Sequence, residues 1–213
     1  MTASNETRAR ERIAMHGESL HRRGYVPGSS GNISVRLDDG ILVSPTNSCL
    51  GRLDPARISK LTPDGKHISG DPPSKEAFLH SLMYGKRASA SAVVHLHSTH
   101  AVAVSCLRGI DENQPIRPLT PYYVMKIGRL KLLPYFAPGD EALAHAVEAV
   151  ADRHHAVLLA NHGPVVAGAS LDDAAFAIEE LEEAARLQLM LDGLPVNPLD
   201  DAQIRDLEAR FPS

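Results

Sequence analysis

The stretch Val93-Val94-His95-Leu96-His97-Ser98 constrains this chain more than any other segment. Read as a short β-strand, it places Val94 and Leu96 on one side and His95 and His97 on the other, because strand side chains alternate faces. Such a strand belongs in a sheet with one face against an apolar core. The opposite face then carries two imidazoles about 7 Å apart, close enough to lean onto one ion. Taken alone, the pair fits either two histidines on a solvated strand face or half of a zinc site, since zinc favours imidazole nitrogens in tetrahedral arrays.

The chain has 213 residues, enough for one domain or at most two small ones. With 43% hydrophobic residues it can bury a sizeable core without covalent staples. We see no repeat, low-complexity segment or Gly/Ser linker, so a single domain over 1–213 is expected, with a core at about 10–190 and a helical tail at 198–213. The 22 basic and 26 acidic residues give a formal charge of -4, which does not describe a nucleic-acid-binding surface. Two cysteines, Cys49 and Cys106, supply no disulfide framework and favour a reducing compartment. The polar start, Thr2 to Glu11, lacks the apolar stretch of a signal peptide, and no apolar run approaches a membrane span. The expectation is a soluble cytoplasmic protein with no membrane partner.

Apolar periodicity predicts a first helix over about 7–23, burying Ile13, His16, Gly17 and Leu20 and stopping at Gly24. Asp38-Asp39-Gly40 and Pro63-Asp64-Gly65 read as hairpin turns. Ser74 is the expected N-cap of a helix to about residue 88, followed by the histidine strand and a helix over about 99–107. Beyond a proline-rich passage (115–121), a short strand is expected over 131–135. Asp140 should cap a helix to about 152 that buries Leu143, Val147 and Val150. Ala156 to Ala160 is an apolar strand, Ser170 with Asp173 reads as a capping box for a helix over 171–192, and a last helix covers about 201–210. Hairpins mixed with helices, rather than regular βαβ units, predict an α/β fold whose central sheet is mainly antiparallel and sandwiched between helix layers.

A third ligand candidate is His162, directly after the strand Val157-Leu158-Leu159, with Gly163 and Pro164 fixing the backbone behind it. Alone it could be a turn histidine bonded to a nearby carbonyl. Together with His95 and His97 it completes three histidines with an open fourth position, the pattern of a catalytic zinc. His16, His21 and His145 fall on helices, His154 and His155 at a helix end or surface, and His100 in the next element. A metal that polarises a carbonyl needs a general base, and Glu76 stands at the start of the helix leading into the histidine strand. Glutamate is common there because it complements the helix dipole; Ser74 and Lys75 beside it could hold an anion at the same helix N-terminus. Two donor-rich loops, Gly28 to Asn32 and Ser44-Pro45-Thr46-Asn47, could cradle a phosphate. Neither matches a P-loop or a dinucleotide fingerprint.

In order, Gly31-Asn32-Ile33-Ser34, Ser44-Pro45-Thr46, Ser74-Lys75-Glu76, His95-Leu96-His97 and Asn161-His162-Gly163 resemble the class II aldolase/adducin family over about residues 10–190. The resemblance implies a single α/β domain, usually a cyclic homotetramer with sites at subunit interfaces. It implies that His95, His97 and His162 hold one Zn2+ (or another divalent metal) per subunit. Glu76 would be the acid/base, in some resting members also a metal ligand, and Asn32, Thr46, Ser74 and Lys75 would hold the substrate phosphate. Many aldolases of the family carry two serines before the glutamate; Lys75 replaces the second.

Within the family, the segments 94–100, 119–126, 134–140 and 159–164 resemble the bacterial 3-oxo-tetronate 4-phosphate decarboxylases. That implies zinc-dependent decarboxylation of a small phosphorylated sugar acid to dihydroxyacetone phosphate through a metal-stabilised enediolate, with Glu76 handling the proton. Tyr122 or Tyr123 would assist from a neighbouring subunit. The alternatives are a zinc-dependent sugar-phosphate aldolase or epimerase, and a non-catalytic adducin-like module, for which three converging imidazoles have no use.

Overall fold

The computed structural model describes residues 4–137 and 140–211, so Pro138 and Gly139 of the segment 134–140 lie outside the described residues. Eight strands form one sheet: β1 (Asn32–Leu37), β2 (Gly40–Val43), β3 (Ser59–Leu61), β4 (His67–Ser69), β5 (Ala92–His95), β6 (Leu130–Leu133), β7 (Ala156–Leu159) and β8 (Gly163–Gly168). Their order is β4-β3-β2-β1-β5-β8-β7-β6. Every pairing is antiparallel except β6 with β7. A parallel pair needs a crossover, and here α5 (Glu141–Glu148) lies between the two strands in the chain.

Strict alternation divides the sheet between two cores. Ile33, Leu42, Val94, Leu158 and Val166 pack on one face with residues of α1 (Asn5–Arg22), α3 (Thr99–Ser105), α4 (Pro121–Lys126) and α6 (Leu171–Met190). α7 (Asp201–Arg210) adds Ile204 and Leu207 at the margin of that core. Val43, Val93, Val157 and Val165 pack on the other face with Leu79 and Met83 of α2 (Ala77–Lys86) and Leu143 and Val147 of α5. The result is the expected mainly antiparallel sheet between helix layers. α1 buries Ile13, His16, Gly17 and Leu20, as its periodicity predicts, and both expected hairpin turns connect paired strands.

Several local expectations are corrected. β8 was not anticipated: Gly163 and Pro164 read as a turn, and a strand buried on both faces shows no polar alternation. Yet β8 is a central strand, between β5 and β7. α4 emerges from the proline-rich passage because Pro121 occupies its first turn, where no backbone N–H is needed, and Thr120 caps it. α2 begins at Ala77, not at Ser74. The Ser74 hydroxyl accepts from the Glu76 amide, closing a local turn that delays the helix. At α6, Ser170 accepts from the Asp173 amide as a cap should, but Asp173 takes up the Ser170 hydroxyl, so the pair forms half a capping box. α5 ends at Glu148, and Val150 is only partly buried.

Candidate metal centre

Four side chains converge at one end of the central strands. His95 is the last residue of β5, opposite Asn32 on β1 and Val165 on β8. It alternates with Val93 onto the face covered by α2. His97 lies just past the strand end but keeps the alternation, while Leu96 is buried in the opposite core. His162 stands in the connection between β7 and β8, where Asn161 takes the left-handed conformation (φ 58°) and the His162 amide donates to the Leu159 carbonyl. The next residue must be glycine. Gly163 has φ 151°, and a Cβ there would lie 2.2 Å from the Leu96 carbonyl oxygen. The missing side chain lets β8 start directly against the backbone of Leu96 and His97.

The Nε2 atoms of the three histidines face one another: His95 to His97 is 3.1 Å, His95 to His162 is 3.3 Å and His97 to His162 is 3.1 Å. Three ring nitrogens cannot all satisfy one another by hydrogen bonding at these distances, and converging lone pairs call for a cation. Zinc–nitrogen bonds of about 2.0–2.1 Å in a tetrahedron place the ligand nitrogens about 3.3–3.4 Å apart. The cluster matches that edge closely. His95 Nδ1 donates to the Pro164 carbonyl at 2.8 Å, which fixes the tautomer and leaves Nε2 as a free lone pair. Burial pushes the His95 ring below its ordinary range and pushes His97 down to about 4. Burial thereby favours the neutral form of both rings, the form that ligates a metal.

Glu76 supplies the fourth donor. It is the N-cap residue of α2, yet its carboxylate caps no helix amide. It turns inward instead, with Oε1 3.0 Å from His162 Nε2 and Oε2 3.4 Å from His95 Nε2. The four ligand atoms lie within 4.8 Å of one another. Burial raises the Glu76 carboxyl. The His162 hydrogen bond, the fields of His95 and His162 and the Asn32 hydrogen bond outweigh that effect and hold it well below the usual carboxylate range. The residues present fit a divalent cation with nitrogen and carboxylate ligands.

The remaining site candidates separate. Asn32 is buried, and its Nδ2 donates to Glu76 Oε2 at 2.8 Å, so it lies beside the carboxylate. Thr46 and Ser74 are brought together by backbone bonds: the Thr46 amide donates to the Pro72 carbonyl and the Ser74 amide to the Ser44 carbonyl. Lys75 is exposed at the same corner. Tyr123 is buried in the core on the far face of the sheet, where it cannot extend to another subunit; Tyr122 is 64% exposed and is the one free to do so. Sequence reasoning missed His80, which is fully buried on α2 one turn beyond Glu76. The four-residue spacing, which puts both on one helix face, was the available signal.

With this geometry established, comparison places the chain in a family. Residues 11–189 match the class II aldolase and adducin N-terminal domain, and the chain belongs to that family. It is 47% identical over 208 residues to the 3-oxo-tetronate 4-phosphate decarboxylase of Escherichia coli K12, covering 97% of this chain and 98% of that protein. The enzyme of the same name from Cupriavidus necator is 49% identical over 192 residues, covering 90% of this chain and 88% of the other. The crystal structure of YgbL from Escherichia coli superimposes with a TM-score of 0.94 at 46% identity, covering 96% of this chain and 99% of that one.

Proposed function

We propose that this protein is a divalent-metal-dependent carbon–carbon lyase that decarboxylates a 3-oxo-tetronate 4-phosphate, giving dihydroxyacetone phosphate and carbon dioxide. The observation that carries the reading is the convergence of His95, His97 and His162 with Glu76 across the ring cluster. A bound cation, zinc by the donor set, supplies Lewis-acid stabilisation of the negative charge that develops on the substrate, worth several kcal/mol.

The protein's own groups do the rest. His95, His97 and His162 present ring nitrogens from three backbone positions at one end of the sheet. The C1–C2 bond of the substrate breaks, carbon dioxide leaves, and the electron pair remains on C2, conjugated with the C3 ketone. Glu76, ionised at rest, accepts a proton from solvent as that charge appears and delivers it to C2. General acid–base help of this kind contributes about 10²–10⁴-fold. The phosphate is held where the Ser44–Asn47 loop meets the start of α2, by Thr46, Ser74 and Lys75 with the spare amide hydrogen of Asn32. The site is completed in a homotetramer, with Tyr122 reaching the neighbouring subunit's substrate.

Incubating metal-loaded protein with a 3-oxo-tetronate 4-phosphate and following carbon dioxide and dihydroxyacetone phosphate tests the reading. Formation of both in equal amounts is expected. Cleavage of a ketose 1-phosphate without carbon dioxide release would instead mark an aldolase.

A further inference from the structure

Behind Glu76 a closed chain of hydrogen bonds runs through the core. Asn32 Nδ2 donates to Glu76 Oε2 at 2.8 Å, and Asn32 Oδ1 lies 2.5 Å from His80 Nε2. His80 Nδ1 lies 2.7 Å from Ser34 Oγ, which lies 2.7 Å from the Tyr84 hydroxyl. His80 and Ser34 are fully buried, Asn32 is 3% exposed and Tyr84 5%. The elements that carry them are β1 and α2 alone: Asn32 and Ser34 point to the same face of the strand, and Glu76, His80 and Tyr84 follow at successive four-residue steps along the helix.

The direction of every bond is fixed from both ends. An ionised carboxylate only accepts, so Asn32 must turn its amide nitrogen to Glu76 and its oxygen to His80. His80 must then donate from Nε2. A neutral ring leaves Nδ1 as an acceptor for the Ser34 hydroxyl, and Ser34 in turn accepts from the Tyr84 phenol, which burial keeps protonated. Burial likewise keeps His80 neutral. All the protons point towards Glu76, and every member of the chain is buried. An amide held in this way cannot flip, and the carboxylate it holds cannot rotate freely.

We propose that His80 is a positioning residue: by donating from Nε2 to Asn32 Oδ1 it locks the Asn32 amide onto Glu76 Oε2 and so aims Oε1 at the metal position. The proposal deepens the reading above, since it rests on Glu76 as the proton-handling group. Partners of this kind typically cost about 10–100-fold in activity or metal affinity when removed.

Two substitutions separate positioning from packing. A glutamine amide reaches about as far as Nε2 and can still donate to Asn32, whereas an asparagine amide reaches only as far as Nδ1. On zinc-loaded full-length protein, His80→Asn should lower kcat by about 10–100-fold with KM little changed, and His80→Gln should recover most of that loss although both variants lack the ring. Equal, wild-type turnover in both variants, with Glu76→Gln inactive, would overturn the inference and leave the decarboxylase reading standing. Parallel losses in both variants that track their melting temperatures would also overturn it, by reducing His80 to packing. If the wild-type protein does not turn over the oxo-acid phosphate, the reading itself fails. The inference is then decided without substrate, by NMR of protein labelled with 15N-histidine. A neutral His80 carrying its proton on Nε2 supports it, and a proton on Nδ1 or a doubly protonated ring overturns it.

Discussion

Glu76 Oε1 lies 3.0 Å from His162 Nε2, joining the start of α2 to the β7–β8 connection across one end of the sheet. The carboxylate is therefore diverted from capping its own helix to face a cluster of ring nitrogens. Replacing Glu76 by glutamine keeps the shape but removes the proton-accepting oxygen. We expect Glu76→Gln to retain its divalent metal through the three histidines and to lose about 10²–10⁴-fold in kcat. Metal content beside steady-state rates checks this; near-normal turnover would remove Glu76 from the proton-handling role.

In the proposed centre His97 acts as a ligand with little else to do, since it lies past the end of β5 and is only partly buried. His97→Ala should lose both metal and turnover while the fold survives. Elemental analysis and a far-ultraviolet circular dichroism spectrum distinguish this from unfolding. A variant that still binds one equivalent of metal and remains active would show the ligand assignment to be wrong.

Gly163 sets how closely β8 approaches the Leu96–His97 backbone. A Cβ there would lie 2.2 Å from the Leu96 oxygen, in a backbone conformation that residues with side chains avoid. Gly163→Ala should cost at least about 2 kcal/mol of stability and weaken metal binding, because the β-strand start and His162 must shift together. Urea unfolding and a metal titration measure the two effects, and an unchanged metal affinity would contradict the coupling.

His80 gives a signed pH dependence. Burial pushes its ring down to about 3, so the unfolded chain takes up its proton at higher pH than the folded one. Stability from this group is complete above about pH 6.5 and is lost as the pH falls towards 3, with a limiting slope of about 1.4 kcal/mol per pH unit. In metal-free protein, His80→Gln should show a shallower fall in unfolding free energy between neutral and mildly acidic pH than the parent. Parallel curves would exclude His80 as a buried neutral group.

Much of the geometry of the candidate metal centre was legible in the sequence because strand alternation is a local property: His95 and His97 share a face whenever Val94 and Leu96 are buried. The α1 face and the two hairpins were legible for the same reason. β8 was not, because Gly163, Pro164 and Gly168 carry turn signals while Val165, Val166 and Ala167 are buried on both sides. The start of α2 was misplaced because Ser74 resembles a cap, whereas its hydroxyl closes a local turn on the Glu76 amide and the helix begins only after it. His80 carried only its four-residue spacing from Glu76 as a signal, since its partners Asn32 and Ser34 lie far away in the chain and meet it only when β1 packs beneath α2.

Metal dependence is the most direct test of the central claim that the tri-histidine cluster and Glu76 form the reacting centre. Carbon dioxide release from a 3-oxo-tetronate 4-phosphate should be measured before chelation, after exhaustive chelation, and during stepwise return of zinc. Activity should fall to background without metal and return in proportion to zinc up to one equivalent per chain. Undiminished release from the metal-free protein would contradict the claim.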